Sequence, residues 1–228
     1  MVMKFLEAEK VDEKTAERLE KLIEKSYYSY WKKKRIFDVS VTVIILIFLI
    51  IPILITALVV FLDDPKGSPF YKQVRIGRHG KPFNMYKFRS MYVDAEKRKK
   101  DLMDSNEMDG PVFKMKNDPR ITRVGRVLRK YSIDEIPQLF NVLIGNMSIV
   151  GPRPALPEEV EKYSDYNKLR LVVTPGITCT WQIMPDKNDI PYEKWLEMDL
   201  EYIETRTTLK DIKIILKTPF AMLRANGR

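Results

Sequence analysis

In 228 residues the sequence has one cysteine, Cys179, and one histidine, His79. A single thiol excludes an intrachain disulfide and fits a reducing compartment. A single imidazole excludes zinc sites built from several His or Cys, and relays that need two histidines. Any metal used here is therefore a hard cation on oxygen ligands, such as Mg2+. The N-terminus is charged rather than apolar, so no cleavable signal peptide is expected. No internal repeat or low-complexity tract breaks the chain. The most informative absence is local: from Val39 to Leu62 there is no charged residue. Roughly 24 residues at ~1.5 Å each make a helix of about 36 Å, longer than a ~30 Å hydrocarbon core. A soluble core helix of that length would show a polar face, so this segment is expected in a membrane.

What is present points to anions. Formal net charge is +9, from 40 Lys+Arg against 31 Asp+Glu. Nucleic acid, phospholipid and phosphorylated substrates are the partners such a balance favours. No nucleic-acid recognition motif accompanies it, which removes the first. Hydrophobic residues make up 45%, enough for a packed core.

Pro52 falls near the middle of the apolar run and is expected to kink it. Two topologies follow: a bent helix that spans, or one that enters, breaks at Pro52 and leaves on the same side. Lys32 to Arg35 flank one end, and Lys66, Lys72, Arg75, Arg78 and Lys81 the other. With both flanks basic, the positive-inside rule orients neither. Ahead of the run, Ala16, Leu19, Ile23, Tyr27 and Tyr30 give one face of an amphipathic helix from about Asp12 to Tyr30. Its aromatic end, beside Lys32 to Arg35, suits a headgroup layer with anionic lipid. Three segments result: a basic, amphipathic extension over 1–35, a membrane helix over 36–62 and a cytoplasmic domain over 63–228.

Within that domain, Pro69 to Ile76 and Lys81 to Met91 read as strands. Gly77-Arg78-His79-Gly80 between them is a hairpin signal, with His79 in the turn. Tyr92 to Asp109 is charge-rich and reads as a solvated helix or loop. Arg120, Arg123, Arg126 and Arg129 recur at threes over a helix from Ile121 to Lys130, aimed at something anionic. Ser132-Ile133-Asp134-Glu135 fits a capping box, but Pro137 would then lie too deep in the helix. A start at Glu135 or Ile136 suits Pro137 better. Both frames put Asp134 at the first turn, where the macrodipole favours its ionised form and free N–H groups can hold a phosphate. A carboxylate beside an anion site is useful if it attacks phosphorus or binds metal. The helix continues toward Gly145, and Gly151-Pro152-Arg153-Pro154 follows. Prolines on both sides pre-order Arg153, so its fork loses less entropy on binding phosphate. Pro175-Gly176-Ile177-Thr178 reads as a turn. Trp181 and Gln182 after it are candidates for base contact, and Trp is equally at home in a core. Trp195 to Glu204 reads as a helix. Leu209, Ile212, Leu216, Phe220 and Leu223 line one face of the last helix, with Lys210, Lys213, Lys217 and Arg224 around it. That pattern fits a membrane-interfacial helix or a second core helix.

Several ordered motifs together resemble the bacterial sugar transferases, the monotopic polyprenyl-phosphate hexose-1-phosphate transferases. They are Lys34-Arg35-Ile36-Phe37-Asp38, Gln73-Val74-Arg75, Tyr86-Lys87-Phe88-Arg89, Asn117-Asp118-Pro119-Arg120, Asp134 to Leu139, Gly151 to Pro154 and Pro175 to Thr178. The resemblance covers roughly Lys34 to Arg224. It implies a phosphoglycosyl transferase of the bacterial inner membrane, with its catalytic domain on the cytoplasmic face. Such an enzyme moves a sugar-1-phosphate from a UDP-sugar to undecaprenyl phosphate and releases UMP, priming surface or exopolysaccharide assembly. It further implies Asp134 as nucleophile, forming a phosphosugar intermediate with Mg2+ present. Glu135 places the metal or the carboxylate, and Lys87, Arg129 and Arg153 stand near the phosphates. Trp181, Gln182 and Lys187 are candidate nucleotide or sugar contacts, Lys187 standing where the family has an arginine. The family's membrane helix is re-entrant and broken at Ser-Pro, which here is Ile51-Pro52. The expected fold is mainly α with a small β-hairpin, a re-entrant helix kinked at Pro52 and amphipathic interfacial helices. Anionic lipid is an expected partner, nucleic acid is not, and a homodimer is a candidate assembly. The rival from another class is a catalytically idle membrane scaffold for glycan-assembly enzymes.

Overall fold

The computed structural model of the chain describes residues 12–13, 15–18, 28–99, 118–185 and 190–223. Lys187, Asn117, Arg224, most of the amphipathic stretch before Tyr30 and most of the charge-rich segment lie outside the described residues. The described chain is mostly helical, with one two-stranded antiparallel sheet and one short parallel pair.

The uncharged run forms α1, Tyr28–Asp63, a single helix that includes Pro52 and crosses the expected boundary at residue 35. One stripe is covered. Trp31, Lys34, Asp38, Val41 and Thr42 face the domain near its start, and Leu46, Leu49, Ile53, Ala57 and Val60 continue the stripe. The remaining faces expose Ile47, Phe48, Ile51, Leu54 and Leu62. A helix long and apolar enough to cross a membrane, with so little of it buried, is associated with a membrane rather than serving as a soluble core.

Both ends of α1 are tied to the same body. At its start Arg35 donates to the carbonyls of Val142 and Leu143, and Lys34 lies 2.8 Å from Asp38 and 2.9 Å from Asp211. At its end Asp63 accepts from the Val124 amide at 3.2 Å, and Asp64 pairs with Arg89 at 3.2 Å.

The hairpin forms as the sequence indicates. β1, Phe70–Ile76, and β2, Pro82–Phe88, pair antiparallel in a register of Phe70 with Phe88 and Ile76 with Pro82. His79 adopts the left-handed conformation in the connecting 3-10 turn. After α2, Ala95–Lys99, comes α3, Arg123–Lys130, whose N-cap Thr122 accepts from the Gly125 amide. α4, Gln138–Ile144, ends at Gly145, whose φ of 98° lies in the region glycine enters freely.

Two elements differ from expectation. Pro175-Gly176-Ile177-Thr178 is not simply a turn: Gly176–Thr178 is strand β4, parallel to β3, Ser148–Val150. A Cβ on Gly176 would sit 2.1 Å from the Gly151 nitrogen, so two glycines let the segments touch. Ser132 does not cap; it is left-handed and makes no side-chain cap. Pro137 explains this, since it takes the N-cap of α4 and pushes the preceding residues into a separate 3-10 turn, Ile133–Glu135.

The short helices α5, Pro157–Val160, and α6, Asp165–Lys168, lead to a 3-10 turn, Leu169–Val172, that packs under α7, Tyr192–Thr205. The main core joins Val142, Ile149, Val150, Leu169, Leu200 and Ile203. The last helix, α8, Thr208–Leu223, is inside out. It buries Asp211 and Ile214 and exposes Leu209, Leu216, Phe220 and Leu223.

Candidate active site

Asp134 and Glu135 sit in the 3-10 turn ahead of α4, between α3 and β2. Side chains alternate along a strand, so Lys87 shares a face of β2 with buried Met85 while Phe88 turns the other way. The buried side chain of Asn141 fixes that strand against α4. Its Oδ1 accepts from the Tyr86 amide at 2.9 Å, and its Nδ2 donates to the Asn84 carbonyl at 2.7 Å. Lys87 is thereby held over the acid pair. Its Nζ donates to Glu135 Oε1 at 2.9 Å and lies 3.9 Å from Asp134 Oδ2.

The loop after β3 brings up Arg153, with Nη1 3.7 Å from Glu135 Oε1. Four successive carbonyls hold that loop. Pro152 accepts from the Gly176 amide at 2.9 Å, and Arg153 from Arg170 Nη2 at 3.2 Å. Pro154 accepts from Arg75 Nη1 at 3.0 Å, and Ala155 from the Ile76 amide at 2.9 Å. Arg170 is buried with its counter-charge, Asp199, and with the Tyr163 hydroxyl at 3.1 Å. A narrow cleft opens between the acid pair and the loop, lined by Arg75, Glu135, Gln138, Arg153 and Gly176.

The two acids titrate in opposite directions. Burial would raise Glu135, but the charges of Lys87, Arg153 and Arg75 and the Lys87 hydrogen bond outweigh it and hold the carboxyl down to about 2. Asp134 goes up, chiefly through burial and then through the neighbouring Glu135 charge; Lys87, Arg129 and Arg153 only partly offset this. Asp134 lies in the 3-10 turn ahead of α4 and not in its first turn, so the helix-terminus effect expected to favour its ionised form is not in place, and burial dominates. Among the described residues nothing donates a hydrogen bond to the Asp134 carboxylate. Its oxygens therefore remain available for an incoming atom.

The structure brings Asp134, Glu135, Lys87 and Arg153 together, and the charge of Arg129 on α3 reaches Asp134. Trp181 is elsewhere: it is buried, its ring stacked on Trp195 with centroids 4.4 Å apart. Gln182 beside it is half-buried. Of the arginines at threes, Arg120 turns inward onto Asp118 at 2.6 Å, whereas Arg123 and Arg126 are exposed. Arg75, Gln138 and Arg170 were missed as site residues. In the sequence Arg75 stands as a basic flank residue and as part of the Gln73-Val74-Arg75 motif, and Gln138 as part of the Asp134 to Leu139 motif, neither with a role in the site; Arg170 carries no sequence signal apart from its partner.

Adjacent carboxylates can hold a hard cation when substrate phosphates complete its shell. No group of three or more acidic, His or Cys side chains suited to a metal occurs among the described residues. The donor set therefore fits Mg2+ through one or two carboxylates, and not an all-protein cage.

A model of the bacterial sugar transferase family matches residues 29–225. The chain is 44% identical over 200 residues to the galactosyl transferase CpsE of Streptococcus agalactiae, covering 88% of this chain and 44% of that protein. It is 42% identical over 201 residues to the undecaprenyl-phosphate galactose phosphotransferase of Salmonella typhimurium, covering 85% and 41%. It therefore spans about two fifths of the length of these two relatives. With the exopolysaccharide production protein ExoY of Sinorhizobium fredii it shares 39% identity over 199 residues, covering 85% of this chain and 87% of that one.

Proposed function

We propose, starting from the fact that this chain belongs to the bacterial sugar transferase family, that it transfers a sugar-1-phosphate from a UDP-sugar to undecaprenyl phosphate. The observation that carries the reading is Asp134. It is a buried carboxylate without a hydrogen bond among the described residues, acted on by Lys87, Arg129 and Arg153. An Asp134 oxygen attacks the sugar-bearing phosphorus of the donor, and the bond from that phosphorus to the UMP oxygen breaks. UMP leaves as an anion. An oxygen of the lipid phosphate then attacks the same phosphorus, the Asp134–phosphorus bond breaks, and the carboxylate is restored. The covalent step lets two anionic substrates react in turn rather than meet directly. Lys87 and Arg153 hold the donor phosphates and spread the charge that builds on the transferring group. Glu135, kept ionised, positions Lys87. Asp134 and Glu135 would hold Mg2+ with the substrate, where the ion supplies charge neutralisation.

Position supports the same reading. Both ends of α1 are tied to one domain, whereas a spanning helix would separate them by a ~30 Å hydrocarbon core. A re-entrant α1 bent at Pro52 within one helix keeps them together, and the outward apolar face of α8 lies in the same interface, against anionic lipid. The site then stands on the cytoplasmic face, where a soluble donor meets a lipid acceptor.

Incubation with a UDP-sugar followed by peptide mass spectrometry tests the chemistry. The expected result is a phosphosugar adduct on Asp134 that undecaprenyl phosphate discharges. Transfer without an adduct, and full activity in Asp134→Asn, would remove the assignment. For topology, Lys33→Cys and Lys72→Cys in a Cys179→Ala background should label from the same side of the membrane. Labelling from opposite sides would establish a span.

A further inference from the structure

Arg75 on β1 is 7% exposed and lines the cleft with Arg153. Its Nε and Nη2 donate to Gln73 Oε1 at 3.2 and 2.8 Å, and its Nη1 to the Pro154 carbonyl. A guanidinium has five N–H donors, so one remains on each Nη nitrogen. Among the described residues no carboxylate lies within ion-pair distance of it. Arg170, equally buried, shows the contrast, since Asp199 neutralises it directly. A buried cation whose opposing acids, Glu159 and Glu135, lie beyond ion-pair distance is costly, and here a second cation stands close by. Burial, followed by the charge of Arg153, brings Arg75 down to about 10. Two guanidinium groups thus line one cleft with a single carboxylate, Glu135. That imbalance is resolved by an anion carrying more than one charge.

We infer that Arg75 is a further binding residue of this site, taking the diphosphate of a nucleoside diphosphate sugar with its two uncommitted N–H donors. The assignment rests on the phosphoryl-transfer reading above. Holding the Pro154 carbonyl is a second role that also aims Arg153, and the two roles separate experimentally.

Titration calorimetry on the full chain in lipid nanodiscs, with uridine, UMP and UDP as probes, makes the test. In the unaltered protein affinity should rise from uridine to UDP. Equal binding of all three would overturn the phosphate reading itself, whatever Arg75 does. Arg75→Gln keeps a donor for the Pro154 carbonyl and loses the charge. It should weaken UDP about tenfold, as expected for one charge-assisted hydrogen bond, and leave uridine nearly unchanged. Arg75→Lys keeps the charge without the fork and should fall between. If Arg75→Gln melts early, the lysine variant carries the test, with a loss of about threefold for UDP. The decisive arm repeats Arg75→Gln in an Arg153→Gln background. A further several-fold loss for UDP supports direct binding. No further loss means that Arg75 acts only through Arg153, and overturns the inference. An equal loss for all three probes also overturns it.

Discussion

Lys34 and Lys87 each stand between two carboxylates, Asp38 and Asp211 at the foot of α1, Asp134 and Glu135 beside the cleft. At the foot of α1 every partner has another. Asp38 accepts from the Ser148 hydroxyl at 2.7 Å and the Ile149 amide at 3.4 Å, and Asp211 from the Tyr202 hydroxyl at 2.7 Å. All three charged groups are buried. Beside the cleft Lys87 leans toward Glu135, and Asp134 is left at 3.9 Å with no hydrogen bond among the described residues. Acids that also bond to the surrounding chain, as Asp38 and Asp211 do, mark a charge cluster that holds structure together. A buried carboxylate with no donor of its own is a candidate for work on a substrate.

The sharpest way to break this comparison is to neutralise one acid in each cluster. Asp134→Asn should lower UMP release by about 10^4-fold or more, as for other covalent nucleophiles, while the melting temperature stays level or rises. A marked loss of stability with activity retained would place Asp134 with the structural acids. Asp211→Asn should do the reverse. It leaves Lys34 buried with half its counter-charge, at a cost of about 3–5 kcal/mol in denaturant unfolding, with turnover per folded molecule near normal.

A pH profile sharpens the contrast at intermediate size. Asp134 must be ionised to attack, and burial raises its pKa, so the acid limb of kcat/KM should lie above the ordinary aspartate value of about 3.9. Lys87 offsets part of that rise, so Lys87→Met should move the limb further up. Movement to lower pH would contradict the geometry. The smallest effect concerns Glu135. Its folded pKa is depressed to about 2, so its contribution to stability is complete above its unfolded value and is lost as pH falls from about 4.5 toward 2. Asp134 acts in the opposite sense. The net loss should be smaller than Glu135 alone would give, and Glu135→Gln should flatten that part of the stability curve.

Elements with local signals were legible in the sequence. The hairpin came from its turn and alternation, α1 from missing charge, and the end of α4 from Gly145. The outward face of α8 was visible as a pattern, but the sequence left its direction open between lipid and core. β3 and β4 were not legible, because each is three residues long and exists only through its distant partner. The acid pair and Arg153 could be picked out, Arg129 from the threefold spacing and the family resemblance, and a phosphate role for Lys87 only through the resemblance. Arg75 and Arg170 escaped because what distinguishes them is the presence or absence of a carboxylate far along the chain. Trp181 is open in the sequence between a base contact and the core, and in the fold its ring stacks on Trp195.

The two-ended tether of α1 also sets an order of events at the ribosome. Arg35 waits 107 residues for its acceptor at Val142, and Asp38 waits 110 for Ser148. At about 5–20 residues per second, that is roughly 5–20 s during which the partners of the start of α1 do not yet exist. Asp211 arrives later still, on the last helix. In the re-entrant reading proposed above, lipid therefore meets α1 before the start of the helix has its protein partners, and the finished domain closes on both ends afterwards.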